Sequence, residues 1–269
     1  MKILFFGDVV GRPGREALRY IIPLWKKEYS PDIVIANGEN VSHGKGISER
    51  TIKEIFEAGI DVVTTGNHAT DGPDALKILA DESLALIRPI NFQPHIPGRG
   101  FLIREVVGKK LLIINAIGNV HMKKVYQVPF PVVDAVLAKY SDIKHIFVDW
   151  HAEATSEKIA MGWYLDGRVS AVVGSHTHTP TADERILSKG TAFISDVGMV
   201  GPHISIIGED VKLNLGRLVS QLSAKTDIAV APPYEINAVL IDINNETGRA
   251  ISVKRLREVV DKSLAQKVA

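Results

Sequence analysis

The sequence contains no cysteine. That excludes a disulfide framework, thiolate zinc sites, iron–sulfur clusters and a cysteine nucleophile together, and leaves His and oxygen ligands as the route to any bound metal. Aromatic residues are scarce, at 6%, and they do not interleave with a basic stripe of the kind that holds single-stranded nucleic acid. Neither charge is in excess: 32 Lys plus Arg against 31 Asp plus Glu give a formal net charge of +1. An anionic ligand must therefore be held by a local site and not by chain-wide attraction. Long hydrophobic runs are also missing. The run Met1 to Phe6 is stopped by Gly7-Asp8 and is too short for a signal-peptide core, and no other stretch approaches the roughly 20 apolar residues of a spanning helix. The expectation is a cytoplasmic protein with no membrane contact.

What is present is an ordinary globular composition. Of 269 residues, 45% are apolar and 23% charged, enough to bury a sizeable core. No internal repeat and no Gly-, Pro- or Ser-rich linker divides the chain, so one domain over 1–269 is expected. Short apolar runs of strand length alternate with segments of helical period, the pattern of an α/β architecture. Strands are expected at Lys2 to Phe6, Asp32 to Ala36, Asp61 to Thr65, Lys110 to Ala116, Lys144 to Trp150, Ser170 to Gly174 and Thr191 to Ser195.

Helices are expected at Pro13 to Tyr29, with Ala17, Leu18, Ile21, Ile22, Leu24 and Trp25 on one face, and at Glu49 to Ala58, capped by Ser48 and stopped by Gly59. Pro73 to Ala80 and Val132 to Tyr140 read as two more. Glu235 to Ile243 and Ile251 to Leu256 flank a turn and predict a hairpin that ends a mixed sheet. Gly198 to Lys225 is too often interrupted by glycine for one continuous element and reads as a loop or inserted lobe.

The residues that carry chemistry stand at the ends of the strands. Successive runs end in Gly7-Asp8, Asn37-Gly38-Glu39-Asn40, Gly66-Asn67-His68, His151 and Gly174-Ser175-His176-Thr177-His178. In an open α/β sheet the carboxyl ends of the strands share an edge where ligands bind. The pattern therefore gathers the carboxylates of Asp8 and Glu39, the amides of Asn40 and Asn67 and the imidazoles of His68, His151, His176 and His178. Any one of these alone fits a helix cap, a polar turn or a core histidine; jointly they do not.

Nitrogen and oxygen donors without thiolate suit Mn²⁺, Fe²⁺ or Zn²⁺. The set is too large for one ion and suits two, about 3.5–4 Å apart around a shared carboxylate. His176 and His178, two apart in an extended segment, would point the same way as a chelating pair. Gly7, Gly38, Gly66 and Gly174 each precede a ligand candidate, where a sharp turn leaves a strand and a side chain would crowd the ions.

This order of motifs resembles the calcineurin-like metallophosphoesterases. Two departures, Asp8-Val9-Val10 without the histidine usual in the first motif and Gly38-Glu39-Asn40 in place of Gly-Asp, are similar to the YmdB-like branch of that family. The resemblance implies an α/β fold with a two-sheet β-sandwich flanked by helices, and a di-metal centre that hydrolyses phosphodiesters. By position, Asp8, Glu39, Asn40 and His178 would hold one ion, and Asn67, His151 and His176 would complete the second. Glu39 would bridge the two, and Asn40 would stand in for the absent histidine. The ions would be iron or manganese, with zinc as an alternative.

The resemblance further implies cyclic nucleotides, 2′,3′ and 3′,5′, as small-molecule substrates. A hydroxide shared by the ions would attack phosphorus while His68 assists the leaving group. A phosphomonoesterase on the same site and a non-catalytic nucleotide-sensing regulator remain open alternatives. RNA stays open as a partner, as does a homo-oligomer built on the hairpin or the Gly198 to Lys225 region. Arg12, Arg15, His43 and Lys45 are candidate anion contacts, each better explained singly as a solvated charge. A Rossmann-type site is excluded, because Gly7, Gly11 and Gly14 do not have the Gly-x-Gly-x-x-Gly spacing.

Overall fold

The apolar run at the amino terminus forms strand β1 (Lys2–Phe6) and buries both of its faces, as a run without polar alternation must. Ile3 and Phe5 point into one apolar layer, Leu4 and Phe6 into another. The structure is a computed structural model and describes residues 1–261. After β1 come β2 (Asp8–Val9), α1 (Gly11–Tyr29), β3 (Ile33–Asn37), α2 (Glu49–Glu57), β4 (Val62–Thr64), α3 (Ala75–Ala80), β5 (Phe101–Val106), β6 (Lys109–Ile117) and α4 (Pro129–Lys139). The remaining elements are β7 (His145–His151), α5 (Thr155–Leu165), β8 (Ala171–Ser175), β9 (Arg185–Ile186), β10 (Ala192–Ile194), β11 (Met199–Pro202), α6 (Val211–Ser220), β12 (Tyr234–Ile243) and β13 (Ala250–Val260).

Two sheets result. In the first, β1, β3 and β4 are parallel, β12 runs antiparallel to β1, and β13 pairs antiparallel with β12 as the expected hairpin. β11 pairs with β12 and carries β2 beside it. The second sheet has the order β5-β6-β7-β8-β10-β9, parallel from β6 through β10.

Side chains such as Phe5, Ile35, Val239, Ile113, Phe147 and Val173 fill the layer between the sheets. Helices α1 to α3 cover the outer face of the first sheet through residues such as Leu18, Trp25, Ile55 and Ile78. Helices α4 and α5 cover the second through Val133, Met161 and Leu165. The expected sandwich flanked by helices is what the chain forms. Among the described residues no helix is long and apolar enough to cross a membrane.

Some boundaries and elements differ from the sequence reading. Helix α1 begins at Gly11, two residues before Pro13, and Leu24 is exposed while the other named apolar residues of that face are buried. The Gly198 to Lys225 stretch is no single loop: it holds β11, a turn and α6, a helix whose only buried residue is Asn214.

Candidate metal centre

β1, β3, β4, β7 and β8 all end at one rim, and each is followed there by, or ends in, a polar residue. Glu39, His151 and His176 bring one ligand atom apiece to within 4.8 Å of one another. His151 is fully buried, with Nε2 3.2 Å from Glu39 Oε1 and 3.0 Å from Asn67 Oδ1. Asp8, also buried, lies 3.9 Å from His151 Nδ1 and 4.0 Å from His178 Nε2 through Oδ1, while its Oδ2 accepts the His176 backbone N–H at 2.9 Å. His68 sits alongside, its backbone N–H donating to Glu39 Oε2 at 3.1 Å and its Nδ1 2.7 Å from Asp71 Oδ2. Asn40 donates to Gly44 O at 2.9 Å. All eight residues singled out in the sequence meet at this rim.

The details correct two expectations. His176 and His178 have φ of 104° and 64°, so the segment is not extended and the two rings are not a parallel pair. His176 packs edge-on against His151 with ring centroids 4.6 Å apart, whereas His178 turns to Asp8 and pairs Nδ1 with Ile207 O at 2.7 Å. Nor do the four glycines act alike. None has a positive φ. At Gly66 a Cβ would lie 2.2 Å from Glu39 Oε2 and 2.3 Å from His151 Nε2, but at Gly174 it would strike the Ser195 carbonyl at 1.7 Å. Gly66 leaves room for the ligands; Gly174 lets neighbouring chains approach.

A buried network fixes the protons. Ser175 Oγ donates to Asp149 Oδ1 at 2.7 Å, so it must accept from His151 Nδ1 at 3.0 Å. Asn37 Nδ2 bonds Asp149 Oδ2 at 3.0 Å and closes the set. His151 thus has an acceptor at each nitrogen, an arrangement that favours its charged form. Burial opposes that charge, but Glu39 and Asp8 outweigh it and raise the pKa to about 9. Burial likewise works to raise Glu39, yet His151 holds it down at about 2. His176 is lowered to about 3 by burial and by the neighbouring His151 charge, so it is neutral. Burial pushes Asp8 up to about 6.

The chain residues fit a cation. Among the described residues Asp8 Oδ1, Asn40 Oδ1 and His176 Nδ1 are buried without a hydrogen-bond partner, and orphaned acceptors of this kind are the donor set a divalent ion satisfies. A cation taking His151 Nε2 must displace its proton. Loading is therefore expected to release protons, and affinity is expected to fall as the pH is lowered, because protons compete for His151 and, at lower pH, for Asp8. Titration calorimetry in buffers of different ionisation enthalpy measures the release; a buffer-independent heat contradicts it.

The sequence reading missed several residues. Lys158 of α5 is buried and paired with Asp196, which also accepts from the Thr177 backbone N–H and hydroxyl at 3.0 and 2.7 Å. Asp196 follows an apolar strand run, the same signal that marked the other motifs. Glu153 contacts His176 Nε2 at 3.0 Å, and nothing in its local pattern announced it. Of the candidate anion contacts, Arg15 is buried and paired with the partly exposed Glu54 at 2.6 Å and Arg12 lies beside Glu16 at 3.8 Å, while His43 and Lys45 line the cavity at the rim.

Face-to-face sheets between helical layers define the calcineurin-like metallophosphoesterase fold class. A 5′-nucleotidase precursor from Thermus thermophilus shares the fold at 12% identity, with a TM-score of 0.57 over 99% of this chain and 57% of its own. Within that class the chain belongs to the YmdB-like family, whose sequence model matches residues 4–256. It is 42% identical over 95% of its length to a 2′,3′-cyclic-nucleotide 2′-phosphodiesterase from Bacillus subtilis (strain 168), of which it covers 96%. A Mycoplasma pneumoniae structure described as a novel phosphatase superposes with a TM-score of 0.91 at 33% identity, covering 99% of this chain and 96% of that one.

Proposed function

We propose that the chain is a phosphodiesterase acting on 2′,3′- and 3′,5′-cyclic nucleotides at a centre of two divalent cations, iron or manganese. The observation that carries this is the convergence of Glu39, His151 and His176 beside the unpartnered atoms of Asp8, Asn40 and His176. Asp8, Asn40 and His178 would hold one cation and Asn67, His151 and His176 the other, with Glu39 shared. The B. subtilis relative supports the substrate class. Bound cations supply Lewis-acid activation of water and neutralise charge at phosphorus.

The chain's own groups do the rest. Ser175 and Asp149 hold His151 in one orientation, as an outer-shell partner does for a ligating imidazole. Asp71 engages His68 Nδ1, which leaves Nε2 to donate a proton to the departing oxygen. General-acid assistance of this kind contributes about 10²–10⁴-fold. His68→Ala is expected to lose turnover by that factor while keeping its metal; an unchanged rate removes His68 from the mechanism.

Metal analysis paired with a screen of cyclic diesters, a chromogenic diester and monoesters in the same metal tests the whole reading. Turnover of the cyclic diesters supports it. Exclusive monoester hydrolysis would favour the phosphatase reading suggested by the M. pneumoniae relative, and binding without turnover the sensor.

A further inference from the structure

His68 and His176 separate two cavities, one of about 560 Å³ and one of about 430 Å³. The larger has balanced charge: Lys45, Arg217 and Lys225 face Glu39, Glu209 and Asp227. The smaller carries Lys45, Lys123 and Lys124 together with His121, against Asp71 and Glu153. Its wall also includes Tyr126, which is 8% exposed. The Tyr126 hydroxyl is buried without a hydrogen-bond partner among the described residues, while its ring stacks on Phe92 with centroids 5.2 Å apart.

A buried hydroxyl without a partner is costly unless a ligand satisfies it. Burial, with Glu39 and Asp71 nearby, raises its pKa, so it stays a neutral donor and needs an acceptor. The lysines set the charge of that acceptor. Lys124 Nζ has only long contacts, 3.4 Å to Asn67 O and 3.5 Å to Thr70 Oγ1 and Asp71 Oδ1, and is half-exposed. It is available to an anion.

We propose that the smaller cavity is a subsite for a second phosphate on the substrate. It would be gripped by Lys123 and Lys124, with Lys45 on the wall shared by the two cavities, and hydrogen-bonded by Tyr126, while the nucleoside takes the larger cavity. Among 2′,3′-cyclic diesters the preferred substrate is then one whose nucleotide carries a further phosphate at its 5′ position, as the last residue of an oligonucleotide does; a 3′,5′-cyclic nucleotide, whose 5′ oxygen is already in the ring, does not use this subsite. The inference rests on the phosphodiesterase reading but concerns recognition alone.

The test is equilibrium binding of adenosine 3′,5′-bisphosphate against adenosine 3′-monophosphate to the metal-loaded protein, followed by kcat/KM for adenosine 2′,3′-cyclic phosphate with and without a 5′-phosphate. The 5′-phosphate is expected to improve binding and kcat/KM about tenfold, the increment of one charge-assisted contact. The advantage is expected to vanish in the Lys123→Ala/Lys124→Ala variant and to shrink in Tyr126→Phe, which keeps the ring stacked on Phe92. Equal binding of the two nucleotides, or an advantage that survives both variants, overturns the subsite. Preferential bisphosphate binding without turnover of either diester would leave the subsite standing and count against the phosphodiesterase reading.

Discussion

Gly66→Ala is expected to leave the protein folded and to abolish its activity. The added methyl would stand 2.2 Å from Glu39 Oε2 and 2.3 Å from His151 Nε2, closer than real Cβ contacts allow. Gly66 does not use a positive φ, so the backbone accepts alanine and the strain falls on the ligands, which must separate. A displacement of about 1 Å at a catalytic centre costs on the order of 10²-fold. On the proposed shared role of Glu39 the effect is larger still, and a drop of about 10³-fold or more, with reduced metal content, is expected. Gly216→Ala in α6 is the control: a Cβ there meets nothing within 4 Å, and the change should leave activity intact while stabilising the helix by up to about 1 kcal/mol. Metal analysis, turnover and thermal melting of the two variants check this. Full metal occupancy in Gly66→Ala would show that the ligands are not packed as described.

The second large effect concerns Lys158. Its ammonium is buried against Asp196 and donates to Ser175 O at 2.8 Å. Asp196 in turn receives Thr177 and, through Oδ1, the Gly198 N–H at 2.8 Å. Lys158→Met keeps much of the side-chain volume but leaves the carboxylate buried without its counter-charge, which costs about 3–5 kcal/mol. At about 2–4 °C per kcal/mol for a chain of this size, the melting temperature should fall by about 6–20 °C. Because Asp196 holds Thr177 between His176 and His178, metal affinity should fall too. A melting temperature within a degree of the parent would mean that the pair is not what orders this segment.

Much of the site was legible because each ligand candidate directly follows an apolar strand run, and parallel strands bring such ends to one rim. Asp8, Glu39, Asn67, His151 and His176 could be read that way without knowing any contact. What the pattern could not show is how the chain turns after a strand. The divergence of His176 and His178 depends on Thr177 being tied to Asp196, a contact across 19 residues. Helix α5 escaped notice for a related reason. Its buried positions Lys158, Met161, Gly162 and Leu165 have helical spacing, but a lysine and a glycine hide the apolar period. That lysine is there to pair with Asp196, and Gly162 to let Phe193 approach, where a Cβ would lie 2.5 Å from its ring. Helix α6 has no apolar core face to betray it. Function and close packing erased the periodicity in the first case, and solvent exposure in the second.

The phosphodiesterase reading stands on side chains from distant strands jointly gripping two neighbouring cations. Anomalous diffraction from crystals equilibrated with manganese measures this directly. One peak bounded by Asn67, His151 and His176 is expected, and a second bounded by Asp8, Asn40 and His178, with Glu39 between them. A map with no peak among these residues, with the ligands turned apart, would refute the shared grip.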